Sequence, residues 1–110
     1  MWLFTDSGFV SVVQDWDNKN VLVARARDKA SLGELSALAG ASIEETPLRD
    51  YPFRVYVSRE ELGGWLLRCV QYLHYPNYKA RMNHTRGPKY SEPLHEVWAA
   101  MQAVSSRESG

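Results

Sequence analysis

The chain carries one cysteine, no net charge and no long apolar run, and each of these removes a class of protein from consideration. A lone thiol, Cys69, rules out an intramolecular disulfide framework and a cysteine-rich zinc site. No segment reaches the roughly 20 apolar residues that span a bilayer. The opening residues, Met1-Trp2-Leu3-Phe4-Thr5, place no cationic stretch ahead of an apolar one, so no secretory signal is expected. These readings predict a cytoplasmic chain without a membrane segment. The 13 basic and 13 acidic side chains cancel, whereas a protein built mainly to hold duplex DNA usually carries excess positive charge.

Signatures of catalysis are also missing. There is no nucleophile elbow, phosphate loop or dinucleotide fingerprint, so neither a catalytic residue nor a cofactor is assigned. His74, His84 and His95 are separated by ten and eleven residues, whereas helical metal-binding histidines sit three or four apart; no metal is expected. Cys69 falls inside an apolar helical stripe and reads as a small hydrophobe rather than a nucleophile. An acid-base site assembled only in three dimensions has no sequence signature. For that case, His84 with Arg81, Arg86 and Lys89 is the set that could hold and cleave a phosphodiester.

What the chain does have is core material. Of its 110 residues, 45% are hydrophobic and 12% aromatic, enough for one domain over residues 1–104 followed by a polar tail over 105–110. Trp2–Thr5, Phe9–Gln14 and Val21–Arg27 read as three strands joined by the turns at Asp6-Ser7-Gly8 and Asp15–Asn20, an antiparallel meander. In the third strand, alternation puts Arg25 and Arg27 on one face and Leu22, Ala24 and Ala26 on the other. Ser31 with Glu34 has the spacing of a capping box for a short helix ending at Gly40. Ser42–Thr46 reads as a brief strand or a loop, and Phe53–Val57 as a strand. Ser58 with Glu61 opens a second helix, whose core stripe is Leu62, Trp65, Leu66, Cys69, Val70 and Leu73 and which Pro76 ends. Gly63-Gly64 within it signals either tolerated weakness or a closely packed backbone. Residues 77–90 read as a polar, basic loop broken at Gly87-Pro88. A last helix begins near Glu92, with Trp98 and Met101 closing over the core. The order β-β-β-α-(β)-β-α-α predicts an α+β fold, an antiparallel meander sheet covered on one face by helices, with the last strand free to join either sheet edge.

The candidate binding surface lies in the basic window. From Asp28 to Glu61 seven acids oppose four bases, a net of −3; from Arg68 to His95 five bases oppose Glu92 alone, a net of +4. Within that window Tyr75, Tyr78 and Tyr90 interleave with Lys79, Arg81, Arg86 and Lys89, and Asn77 and His84 add polar edges. Aromatic rings beside cations suit single-stranded nucleic acid, and Tyr, Trp and Arg also dominate protein interface hot spots.

Met1-Trp2-Leu3-Phe4-Thr5 followed by Gly8-Phe9, Ser11 and Val13, together with Val23–Arg27, Asp50–Val55, Tyr75–Lys79 and Trp98, resembles a family of small bacterial proteins to which no function is assigned. Phage-borne inhibitors of host proteins offer an analogy for a lone neutral domain of this size. The expectation is a non-catalytic binding or inhibitor domain whose ligand is a protein or a second copy of itself. The alternative is a single-stranded nucleic-acid or phosphate-binding module using residues 72–90.

Overall fold

The computed structural model describes residues 1–109, with side chains through Ser105; the tail expected over 105–110 therefore has its end, Gly110, outside the described residues. The chain divides into two compact units, Met1–Leu73 and the residues from His74 onward. The first holds β1 (Trp2–Thr5), β2 (Gly8–Gln14), β3 (Val21–Ala26), α1 (Gly33–Ala39), β4 (Glu44–Glu45), β5 (Phe53–Ser58) and α2 (Arg59–Gln71). The second is a helical hairpin, α3 (Tyr78–Arg86) and α4 (Pro88–Ser109).

The fold is α+β. Its sheet is antiparallel throughout, in the order β1-β2-β3-β5-β4, so the late strand joins the free edge of the meander at β3. Period-2 alternation sorts the sheet into two faces. One carries Val10, Val12, Ala24, Ala26, Val55 and Val57, all buried, which cluster with Leu32, Leu35, Leu62 and Trp65 from the helical segments. That is the core. The other face carries Trp2, Phe4, Phe9, Ser11, Val13, Val23, Arg25, Arg54 and Tyr56 by register.

Helix starts follow local chemistry, though not always at the expected residue. Ser58 and Glu61 form the capping box reciprocally: the Glu61 amide donates to Ser58 Oγ at 3.1 Å, and the Ser58 amide donates to Glu61 Oε1 at 2.8 Å. The box expected at Ser31 is absent. Asp28 caps that turn instead, its Oδ1 accepting from the Ser31 amide at 2.8 Å and from Ser31 Oγ at 2.6 Å. Residues Ala30–Leu32 then wind as a 3-10 turn, and α1 begins at Gly33. Asp28 takes the Ser31 amide that the Glu34 side chain would accept from in a capping box, and it occupies Ser31 Oγ as well, so the competing acceptor decides the start. Gly40 ends α1 in the left-handed region, at φ 64°.

The largest departure is in the basic window. Residues 78–86 form α3 rather than a loop, because Asn77 Oδ1 accepts from the Ala80 amide at 2.9 Å and caps the start. Gly87, at φ 91°, makes the break a side chain would resist, and Pro88 opens α4 four residues before the expected Glu92. Pro93 therefore lies inside α4, not in its first turn, and the helix runs on through the polar residues 105–109.

The core stripe of α2 is shorter than its periodicity implies. Trp65 and Leu62 are buried, and Leu66 and Cys69 pack against the core, but Val70 and Leu73 are 68% and 56% exposed. The helix stops at Gln71, well before Pro76, so Leu73 lies beyond its end. Trp98 and Met101, at 49% and 59% exposed, are not core residues either. An added methyl at Gly63 or Gly64 would meet nothing within 4 Å, so no backbone packs there. Gly63→Ala and Gly64→Ala should each stabilise the protein by about 0.5–1 kcal/mol through reduced backbone entropy of the unfolded chain. Leu35→Ala should cost about 2–5 kcal/mol, and Val70→Ala less than about 1 kcal/mol. Urea midpoints for the four variants check this assignment of helix faces.

Candidate functional site

The residues expected to form a recognition surface do come together in the helical hairpin, but they largely engage one another. Arg86 Cζ lies 4.2 Å from the Tyr90 ring centroid, Ser91 Oγ donates to Asn83 Oδ1 at 3.2 Å, and Lys79 Nζ sits 4.2 Å from the Trp98 ring. The contacts run in opposite chain directions, so α3 and α4 are antiparallel. Met82 and Leu94 are the buried apolar residues of the pair. Trp98 also stacks on His95, with centroids 5.4 Å apart. Arg86 thus lies on the Tyr90 ring, and Lys79 and His95 both lie against Trp98. Tyr75 and Tyr78, both half-buried, meet at 6.0 Å, and Asn77 spends its amide oxygen on the cap. Arg81 is half-buried; His84 and Lys89 are exposed. On α4, Val97, Trp98, Met101 and Val104 expose 37–59% of their surface along one stripe.

A second constellation, not marked as a site by the sequence, occupies the open face of the sheet. Its basis is one row of register: Trp2 opposite Ser11, Ser11 opposite Arg25, Arg25 opposite Arg54, and Arg54 opposite Glu44. Side chains so paired stand about 5 Å apart at Cβ. Beside Trp2, the Phe4 and Phe9 rings stack with centroids at 4.8 Å, and Trp2 meets Phe9 edge-on at 5.4 Å. Tyr51, from the turn before β5, folds onto this face, 6.3 Å from Phe9 and with Arg25 and Arg27 at 4.6 and 5.0 Å from its centroid. Trp2 remains 64% exposed, Tyr56 41%, Val13 39% and Phe4 36%.

Among the described residues the arginines of this row form no ion pair, although Glu44 stands opposite Arg54 across the β4 edge. Arg25 donates to Ser11 Oγ at 2.8 Å, but its Nε is buried with no acceptor, and the Nε of Arg54 is likewise buried and unmatched. Among the described residues no carboxylate lies within 4 Å of Arg25, Arg27 or Arg54, whereas Arg68 pairs with Glu34 at 3.1 Å between α2 and α1. Like charges directly opposed across a sheet destabilise it, and an unmatched buried donor costs about 1–3 kcal/mol. Sequence reasoning had placed Arg25 and Arg27 on one face. It missed that Arg54 and Tyr51, some thirty residues away, arrive beside them, because only the pairing of β5 with β3 brings them there.

The remaining chemistry is quiet. Cys69 is half-buried, and burial, with the carboxylates of Glu34 and Asp6, pushes its thiol above the ordinary range; Arg68 and a backbone hydrogen bond oppose this more weakly. Among the described residues no three His, Cys, Asp or Glu side chains converge to hold a metal, and no helix is long and apolar enough to cross a membrane. At the start of α2 the Ser58 and Glu61 amides are taken by its own cap. Comparison with protein-family models, with curated proteins and with solved structures finds no match.

The raised thiol has a measurable consequence, since the thiolate is the reactive form. Iodoacetamide should modify Cys69 more slowly than free glutathione at neutral pH, with a rate still climbing at pH values where glutathione has reached its plateau. Mass spectrometry over a pH series measures this; a plateau below that of glutathione contradicts the burial argument.

Proposed function

We propose that this chain is a small non-catalytic binding domain that acts through protein–protein contacts, with the open face of its sheet as the contact surface. The observation that supports this reading is the group of exposed Trp2, Phe4 and Tyr56 with half-buried Arg25, Arg54 and Tyr51 on one face of the sheet. Tyr, Trp and Arg are the residues that carry binding energy at interfaces, and the face is rigid because each strand beneath it is paired. The partner is another protein or a second copy of this chain. The alternative, a single-stranded nucleic-acid module on residues 72–90, is less well supported, since Tyr90 and Trp98 already hold Arg86 and Lys79 on their rings. The balanced whole-chain charge also gives little long-range attraction to a polyanion.

A photo-crosslinking amino acid at Phe4, at Met101 and at Leu48 tests the reading in an extract of the native host; Leu48 is fully exposed and belongs to neither set of residues. Position 4 should yield one discrete protein adduct, confirmed by reconstitution from purified components, and position 48 none. A discrete adduct at 101 alone moves the contact to α4. Adducts that disappear with nuclease favour the alternative, and equal smears at every position refute a specific interface. If the partner is a second copy, sedimentation equilibrium of the purified protein should show a dimer that Trp2→Ala weakens.

A further inference from the structure

From the charge on this face we infer the chemistry of the partner: a short acidic polypeptide segment, whose carboxylates seat on Arg25 and Arg54 while flanking apolar side chains pack on Trp2 and Phe4. The inference rests on the protein-binding reading of the face and adds what the partner must present. Two guanidinium groups stand directly opposite on β3 and β5, and Arg27 follows at the end of β3. Each of the first two keeps a buried Nε–H without an acceptor, and none of the three has a carboxylate within reach. A planar carboxylate accepts two parallel N–H bonds from the terminal nitrogens of one guanidinium, so it answers the like-charge repulsion without having to reach the buried Nε. Tyr51 already braces Arg25 from the side, and Ser11 holds one terminal nitrogen at 2.8 Å, so that guanidinium is oriented before any ligand arrives.

The size of the charged patch distinguishes an acidic peptide from a nucleic acid. A single strand carries a phosphate at every nucleotide and needs a cationic track along its path. Here the row stops at Glu44 on β4, with Glu45 beside it and Asp50 next to Tyr51. At the other end the row runs out into Ser11 and Trp2. The next row, Val13, Val23 and Tyr56, is uncharged. One or two carboxylates with apolar neighbours match that pattern. A continuous polyanion would meet the acids at the β4 edge.

Nitrogen-edited NMR of the full chain reads the arginine Nε–H groups directly. The probes are acetyl-Leu-Glu-Glu-Leu-amide, its double-glutamine counterpart and a thymidine tetranucleotide. The acidic peptide should shift the Arg25 and Arg54 Nε–H signals saturably and leave that of Arg68, already paired with Glu34, in place. The glutamine peptide should bind about tenfold more weakly or worse. Arg54→Gln should abolish the saturable shift. Arg54→Lys, which keeps the charge but loses the fork, should weaken it and still guard against a variant that merely misfolds. Equal binding of the two peptides, or tighter binding of the tetranucleotide, overturns the proposal. The crosslink at position 4 separates it from the broader reading. If that adduct forms equally well with Arg54→Gln, the face binds protein without needing an acid and only the present inference falls. If no adduct forms in either, the broader reading falls too.

Discussion

A slip of β3 by one residue against either neighbour would turn Arg25 into the core and drive Ala24 and Ala26 out of it, and much of the first unit depends on that register being kept. β3 is paired on both sides, with β2 and with β5, so neither strand can move without the other. Its inward residues are small: Ala24 and Ala26 are fully buried and share one cluster with Leu32, Leu35 and Trp65. Small residues on a central strand let bulky helical side chains come close to the sheet, and the period of two makes the register all-or-none. The outward positions are then committed as well. Arg25 has to face away from the core, and Ser11 on one side and Arg54 on the other are placed beside it.

The open face therefore carries an energetic liability that packing alone does not explain. Two opposed arginines with unmatched Nε–H groups, next to an exposed tryptophan, weaken the domain. Sequences under selection for stability alone tend to remove such features, and it is on their persistence here that the proposed contact surface rests. The helical hairpin is the contrasting case. Its aromatic rings and cations satisfy one another, so a composition that looked like a recognition surface has a large internal share.

Local signals that compete for the same atoms were the hardest to read. Ser31 and Glu34 have capping-box spacing, yet Asp28 is one turn earlier and takes the Ser31 amide. Asn77 caps a helix where Gly, Pro and a run of polar residues suggested a loop, since α3 has few apolar residues and its periodicity is correspondingly faint. The apolar period of α2 continues into Val70 in its last turn and Leu73 beyond its end, yet both are exposed. Periodicity reports which side chains share a helix face; it does not report how far the opposing surface extends.

The sequence by itself determined the α+β class, the meander, the two faces of β3, the Ser58–Glu61 cap and the stop at Gly40. Each of these rests on interactions within a few residues or on an alternation that any strand must obey. Only the tertiary structure decided that β5 docks on β3 rather than on β1, because both edges offered equivalent backbone groups. That docking brings Arg54 opposite Arg25 and lays Tyr51 over Arg25 and Arg27. The candidate site is a product of long-range pairing, and its residues stood in the sequence as three unrelated stretches until the sheet aligned them.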